Sequence, residues 1–232
     1  MAQVNLRHGH GHHAEETREA ILNAATQMFA EHGFDGARID AIAAASGYNK
    51  SLIFQYFGDK LGLYAEVIRR ADAQTREAQN QVVSALLEGG SSLQAGTAAP
   101  LFKGFIGQVF DFYIQNPHMA RIFLWEMAEG WQTYTRIADQ IGADELGALA
   151  PLMSRVQEAG LLHTDLDPTI QVIIANLVPM LFLASIPLFR TFFPGSDLNS
   201  PRAVERAREF VTEFVTRGLL ANQPGENAGV KE

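Results

Sequence analysis

The stretch that most limits what this chain can fold into runs from Arg38 to Lys60 and reads RIDAIAAASGYNKSLIFQYFGDK. Ile39, Ile42 and Ala43 recur at i, i+3 and i+4, the spacing of one face of a two-turn helix. Gly47 follows and can take the positive φ of a tight reversal. Asn49 stands where a side-chain oxygen can accept from the first free amides of a second helix, Lys50 to Phe57. In that helix Ile53 and Phe57 share a face, while Lys50, Ser51 and Gln55 point elsewhere. Two short helices about a glycine turn, the second with a polar N-terminus, outline a helix-turn-helix. The pattern predicts sequence-specific DNA binding.

Composition qualifies this. The chain has 232 residues, 47% of them hydrophobic, enough for one large domain or for a small domain joined to a larger one. Its formal net charge is −8, which excludes a general nucleic-acid binder, so any positive charge that meets DNA must be local. Between Arg38 and Lys60 the balance is only +1. Without cysteine there is neither a disulfide framework nor a thiolate metal site, which fits a cytoplasmic protein. The N-terminus lacks the basic-then-apolar layout of a signal peptide. Residues 1–14 contain HGHGHH, with His8, His10, His12 and His13. Glycines between the histidines give no fixed ligand geometry, so the stretch reads as a disordered arm, and no metal or cofactor is expected.

From about Glu15 to His32 an apolar stripe of Ile21, Ala25, Met28 and Phe29 predicts a helix stopped by Gly33, with Phe34 folding back onto it. A longer helix is expected from Asp59 into the eighties. Gly89 to Gly96 reads as a loop, and Pro100 as the opening of a helix through Gln115. Asn116-Pro117 breaks it, with Asn116 capping a helix from His118 to about Ile141. Asp144 to Ala159 is amphipathic and ends at Gly160. From Pro168 to Phe189 there are 22 residues without formal charge, long enough to raise a transmembrane helix. Flanking positive charge is limited to Arg190, and no other segment reaches spanning length. The preferred reading is therefore a helix buried between the chain's own core and a partner. Ser200-Pro201 opens a last helix to about Asn222, and residues 223–232 read as a disordered tail.

The segment from Thr17 to Leu63, about a fifth of the chain, resembles the N-terminal domain of the TetR family of bacterial transcriptional regulators. The resemblance rests on Ile21-Leu22, Ala24-Ala25, Phe29, Gly33-Phe34, Ile42-Ala43, Gly47, Ile53, Tyr56-Phe57, Lys60 and Leu63. The departures are Arg38 where the family often has Thr or Ser, Phe54 where it usually has Tyr, and Leu52 where many members have a small or hydroxylated residue. The resemblance implies an all-α fold of about nine helices. Residues 15–62 would form a three-helix DNA-binding domain and residues 63–222 a helical ligand-binding and dimerisation domain. It also implies DNA contacts from Arg38, Tyr48, Asn49, Lys50, Ser51, Phe54, Gln55, Tyr56 and Lys60. Among these, Lys50 suits guanine acceptors and Gln55 suits adenine, while Arg38, Tyr56 and Lys60 hold phosphates.

A homodimer pairing through its last two helices would double the footprint on a near-palindromic operator. By the same resemblance, a pocket among the middle helices takes a small apolar or aromatic effector. Its candidate lining is Phe105, Val109, Trp125, Glu126, Trp131, Asn176 and Met180, with Glu126 and Asn176 orienting the ligand. Most of the surrounding aromatics must nonetheless be ordinary core. The function implied is a ligand-responsive regulator, a repressor in the commoner family mode. An enzyme is the rival class, but no phosphate loop, G-x-S-x-G elbow or HExxH pair is present. A membrane-associated sensor rests on Pro168 to Phe189 alone.

Overall fold

The computed structural model describes residues 7–89, 95–141, 154, 156–198 and 200–221. The described residues form nine helices. These are α1 (Arg7–Gly36), α2 (Ile39–Ser46), α3 (Lys50–Phe57), α4 (Lys60–Gly89), α5 (Ala95–Gln115), α6 (Pro117–Ala128), α7 (Gln132–Ile141), α8 (Pro168–Phe192) and α9 (Pro201–Leu219). Residues 156–158 end the helix expected from Asp144; most of that helix, residues 90–94 of the expected loop and the tail from 223 lie outside the described residues. Among the described residues the fold is all-α, as the resemblance implied.

The chain forms two compact units that do not follow its order: Met1–Ala73 with Pro117–Ala143, and Gln74–Asn116 with Asp144–Glu232. The first unit is built around α1. Ile21, Leu22, Ala25 and Phe29 on that helix are buried with Ile42, Ile53, Leu63, Tyr64 and Ile68. Phe29, Phe34 and Tyr64 form an aromatic knot, with Tyr64 edge-on to both rings at 4.9 and 5.2 Å between centroids. Polar contacts lace α1 to α4 at its rim: Arg18 reaches Glu66 at 2.8 Å, and Arg70 reaches Asn23 at 2.8 Å and Glu19 at 3.0 Å. Helix α6 also packs on α1. Arg121 Nε and Trp125 Nε1 both donate to the Ala30 carbonyl, at 3.1 and 3.3 Å.

Several boundaries differ from expectation. Helix α1 is described from Arg7, so it already runs ahead of the expected Glu15, in a stretch without proline to interrupt it. Gly33 breaks it as expected, with φ 67° and ψ −178°, a region open only to glycine. A side chain there would also stand 3.1 Å from the Trp125 ring. Helix α5 is described from Ala95 and contains Pro100, so Pro100 does not open it; Pro100 lies past the first turn, where its missing amide removes an internal bond. Asn116 closes α5 where capping of the next helix was expected: its amide and its Nδ2 donate to the Phe112 carbonyl at 2.8 and 3.0 Å. The single helix expected from His118 to Ile141 is two. Gly130 and Trp131 both take left-handed backbone, φ 70° and 61°, and turn the chain between α6 and α7.

The second unit packs α5, α8 and α9 together around Phe102, Ile106, Phe110, Ala175, Val211 and Val215. Both long C-terminal helices begin as the sequence indicates. Asp167 Oδ1 accepts from the Thr169 amide at 2.7 Å ahead of Pro168, and Ser200 Oγ accepts from the Ala203 amide at 3.2 Å ahead of Pro201. Gln157 and Gln171 clamp the segment before α8, each donating through Nε2 to the carbonyls of His163 and Leu166. Asp111 on α5 and Arg208 on α9 form a two-bond ion pair at 2.6 and 2.7 Å.

Candidate nucleic-acid interface

The reading surface is assembled from three local devices. Gly47 takes φ 78°, and its amide returns to the Ala43 carbonyl, ending α2 in a left-handed turn. Asn49 Oδ1 accepts from the Leu52 amide at 2.9 Å and so starts α3. Ile53 and Phe57 are buried, which fixes the rotation of α3 and leaves Lys50, Ser51, Phe54, Gln55 and Tyr56 exposed. Phe54 is 38% exposed and Tyr56 37% exposed, so large aromatics stand in solvent on an eight-residue helix otherwise fastened by its buried face. Exposed rings beside a polar helix start can reach thymine methyls and sugar-phosphate at once.

The structure shows partners that the sequence does not. Lys50 Nζ is 3.0 Å from Asp40 Oδ1, pairing the first turns of α2 and α3. The Tyr48 hydroxyl lies 3.3 Å from the Thr17 hydroxyl of α1. Arg38 is exposed at the start of α2, and its side chain makes no capping bond there. Lys60 donates to the Asp35 carbonyl at 3.2 Å and lies 4.6 Å from the Phe34 ring centroid. Burial pulls its ammonium below the ordinary lysine value, against a smaller opposing pull from Asp35. Asp59 Oδ1 caps α4 from just outside it, accepting from the Gly62 amide at 2.7 Å.

The seven residues expected to face an effector divide between the two units. Trp125, Glu126 and Trp131 belong to the first unit, and Phe105, Val109, Asn176 and Met180 to the second. Glu126 is 1% exposed, with both oxygens engaged: Oε1 accepts from the Tyr64 hydroxyl at 2.5 Å and Oε2 from the Tyr134 amide at 3.0 Å. Burial first, and then the bond to Glu126, push the Tyr64 phenol well above its ordinary range. Trp131 stacks edge-on against Tyr134 at 5.6 Å. In the second unit Val109 and Met180 are buried and Phe105 packs against the core, while Asn176 Nδ2 donates to its own helix at Val172 O, 2.9 Å away. A cavity of about 270 Å³ in the same unit is lined by Phe182, Ile186, Phe189, Phe193, Ser196 and Leu198, at the far end of α8.

A capped, glycine-turned helix pair with a polar and aromatic outer face defines a helix-turn-helix DNA-binding protein. Comparison with known proteins narrows the class. Residues 21–67 match the bacterial regulatory proteins of the tetR family, and residues 101–215 match the tetracyclin repressor-like C-terminal domain. The transcriptional repressor NicS of Pseudomonas putida is 26% identical over 211 residues, covering 89% of this chain and 93% of that protein. The repressor SCO4008 of Streptomyces coelicolor is 31% identical over 119 residues, 50% of this chain and 52% of that one. Among solved structures, the transcriptional regulator SCO4942 of Streptomyces coelicolor superposes with TM-score 0.58 at 27% identity, covering 88% of this chain and 98% of that one. The chain belongs to the TetR family and is a DNA-binding transcriptional regulator.

Proposed function

We propose that this regulator acts as a homodimer on a near-palindromic operator in the cytoplasm and is released by a small, largely apolar or aromatic effector. The observation that carries the dimer is the uncovered apolar surface of the second unit. Helix α8 is long and apolar enough to cross a membrane, yet only 17% of its most apolar window is buried within the chain. On α9, Phe210 is 71% exposed and Phe214 63% exposed, their rings stacked at 6.2 Å. Apolar surface of this extent marks an interaction site in a soluble protein. Two adjacent helices showing one such face suit an isologous contact with the same face of a second copy. Gln171, buried near the start of α8, seats that end of the helix on the chain's own core and leaves the apolar remainder for a partner. A two-fold pair would set its recognition helices about 34–36 Å apart on successive major grooves.

The effector is assigned to the second unit, with Phe105, Val109, Asn176 and Met180 as the proposed lining. It acts by population shift, favouring a form of the dimer in which both half-sites cannot be met together. Replacing Phe210 and Phe214 together by Asp tests the dimer. The double variant should sediment as a monomer at micromolar concentration and lose operator affinity by orders of magnitude. A variant that remains dimeric with unchanged operator affinity defeats this interface. Recovery of the unmutated chain from a lysate only with detergent would favour a membrane-bound α8 instead.

A further inference from the structure

The ion pair between Asp40 and Lys50 is unusual for a DNA-reading surface. It sits on the outer edge of the helix-turn-helix, with side chains 77% and 49% exposed, so it adds little to stability. It also places a carboxylate where an approaching DNA backbone would repel it, on a surface already poor in positive charge. We infer that Asp40 is a specificity-determining residue, and that Asp40 and Lys50 together read a single G·C base pair in the major groove. The inference rests on the chain's assignment as a DNA-binding regulator and concerns which base it selects.

The geometry is complementary. In the major groove a guanine offers the acceptors N7 and O6, and its cytosine offers the N4 amino donor. O6 and N4 are bonded to each other within the pair, so they lie about 2.9 Å apart. Lys50 Nζ and Asp40 Oδ1 are 3.0 Å apart, a donor and an acceptor at the same separation. Lys50 can donate to O6 and N7 while Asp40 accepts the free N4 hydrogen of the opposite strand. A T·A pair also sets an acceptor beside a donor, O4 beside N6. There, however, the thymine methyl meets the ammonium and adenine N7 faces the carboxylate, two mismatches that G·C avoids. Asn49 fixes the start of α3 and so the position of Lys50, and the return of Gly47 to Ala43 fixes α2 against it. The backbone that carries both side chains is thus set before DNA arrives.

The test is selection of bound duplexes from a random pool, using the full chain unmutated, as Asp40→Ala and as Lys50→Ala. Circular dichroism melts would establish that each is folded. The unmutated chain should select G·C at one position of each half-site. Asp40→Ala, which removes the acceptor, should lose discrimination at that position by roughly ten-fold, with the other positions unchanged and binding to random DNA no weaker. Lys50→Ala should relax the same position. Unchanged stringency for Asp40→Ala, uniform weakening at every position, or different positions relaxed by the two variants would each overturn the inference. If the unmutated chain selects no site, the DNA-reading assignment fails together with it.

Discussion

Tyr64→Phe removes one oxygen from the interior of the first unit and leaves everything else in place. The ring keeps its edge contacts with Phe29 and Phe34, at 4.9 and 5.2 Å. What is lost is the donor to Glu126 Oε1, while Oε2 retains the Tyr134 amide at 3.0 Å. Tyr64 and Glu126 are each 1% exposed, so solvent cannot take the vacated position. A buried acceptor left unpaired costs about 1–3 kcal/mol. In a chain of this size each kcal/mol lowers the melting temperature by about 2–4 °C, so a loss near the middle of that range predicts about 4–8 °C. Trp125 and Trp131 are the chain's only tryptophans and both belong to this unit, so a fluorescence-detected melt follows it selectively. Glu126→Gln keeps an acceptor for Tyr134 and offers an N–H to the Tyr64 oxygen, so its cost should stay below about 1 kcal/mol.

The same bond gives a pH dependence with a definite sign. Burial and Glu126 raise the folded phenol above its ordinary 10.0, while the unfolded chain ionises near that value. The contribution of Tyr64 is therefore complete below pH 10.0 and is lost as pH rises above it. The wild-type and Tyr64→Phe melting curves should converge in that alkaline range. A Tyr64→Phe variant that melts with the wild type at pH 7 would refute the reasoning.

Two further outcomes follow from the same unit. Gly33→Ala should destabilise more than Gly47→Ala: a side chain at the left-handed Gly47 costs about 1–2 kcal/mol, whereas Gly33 lies in a region open only to glycine and also meets the Trp125 ring at 3.1 Å, and chemical denaturation of the pair measures the difference. Lys60→Ala should weaken all DNA sequences alike and flatten the salt slope by about one unit, whereas an unchanged slope would leave Lys60 with only its Asp35 and Phe34 contacts.

The helix-turn-helix was legible in the sequence because each of its parts is decided locally. Asn49 caps, Gly47 turns, and Ile53 with Phe57 sets the buried face, all within a dozen residues. The Gly130-Trp131 turn was not legible, because tryptophan seldom adopts positive φ and the apolar period runs on through it. Glu126 was read as facing a ligand because a lone carboxyl among aromatics suggests one. Its two donors come from residues 62 and 8 positions away, and no helical periodicity links it to Tyr64. In the sequence Asp40 counts only as one of the charges behind the +1 balance from Arg38 to Lys60. A carboxylate in the first turn of one helix, beside a lysine opening the next, is the signal that would have found it.

The first unit takes Pro117–Ala143 from far along the chain to complete itself. During synthesis the recognition helix emerges early, yet Ile122, Met119 and Glu126, which belong to the same unit, follow more than half a hundred residues later. Until they arrive, Tyr64 has no acceptor and the α6-facing side of α1 has no cover. A nascent chain therefore displays its DNA-reading residues on an unfinished unit. A fragment cut after α4 would inherit that condition permanently, as a reader without the scaffold that holds it still.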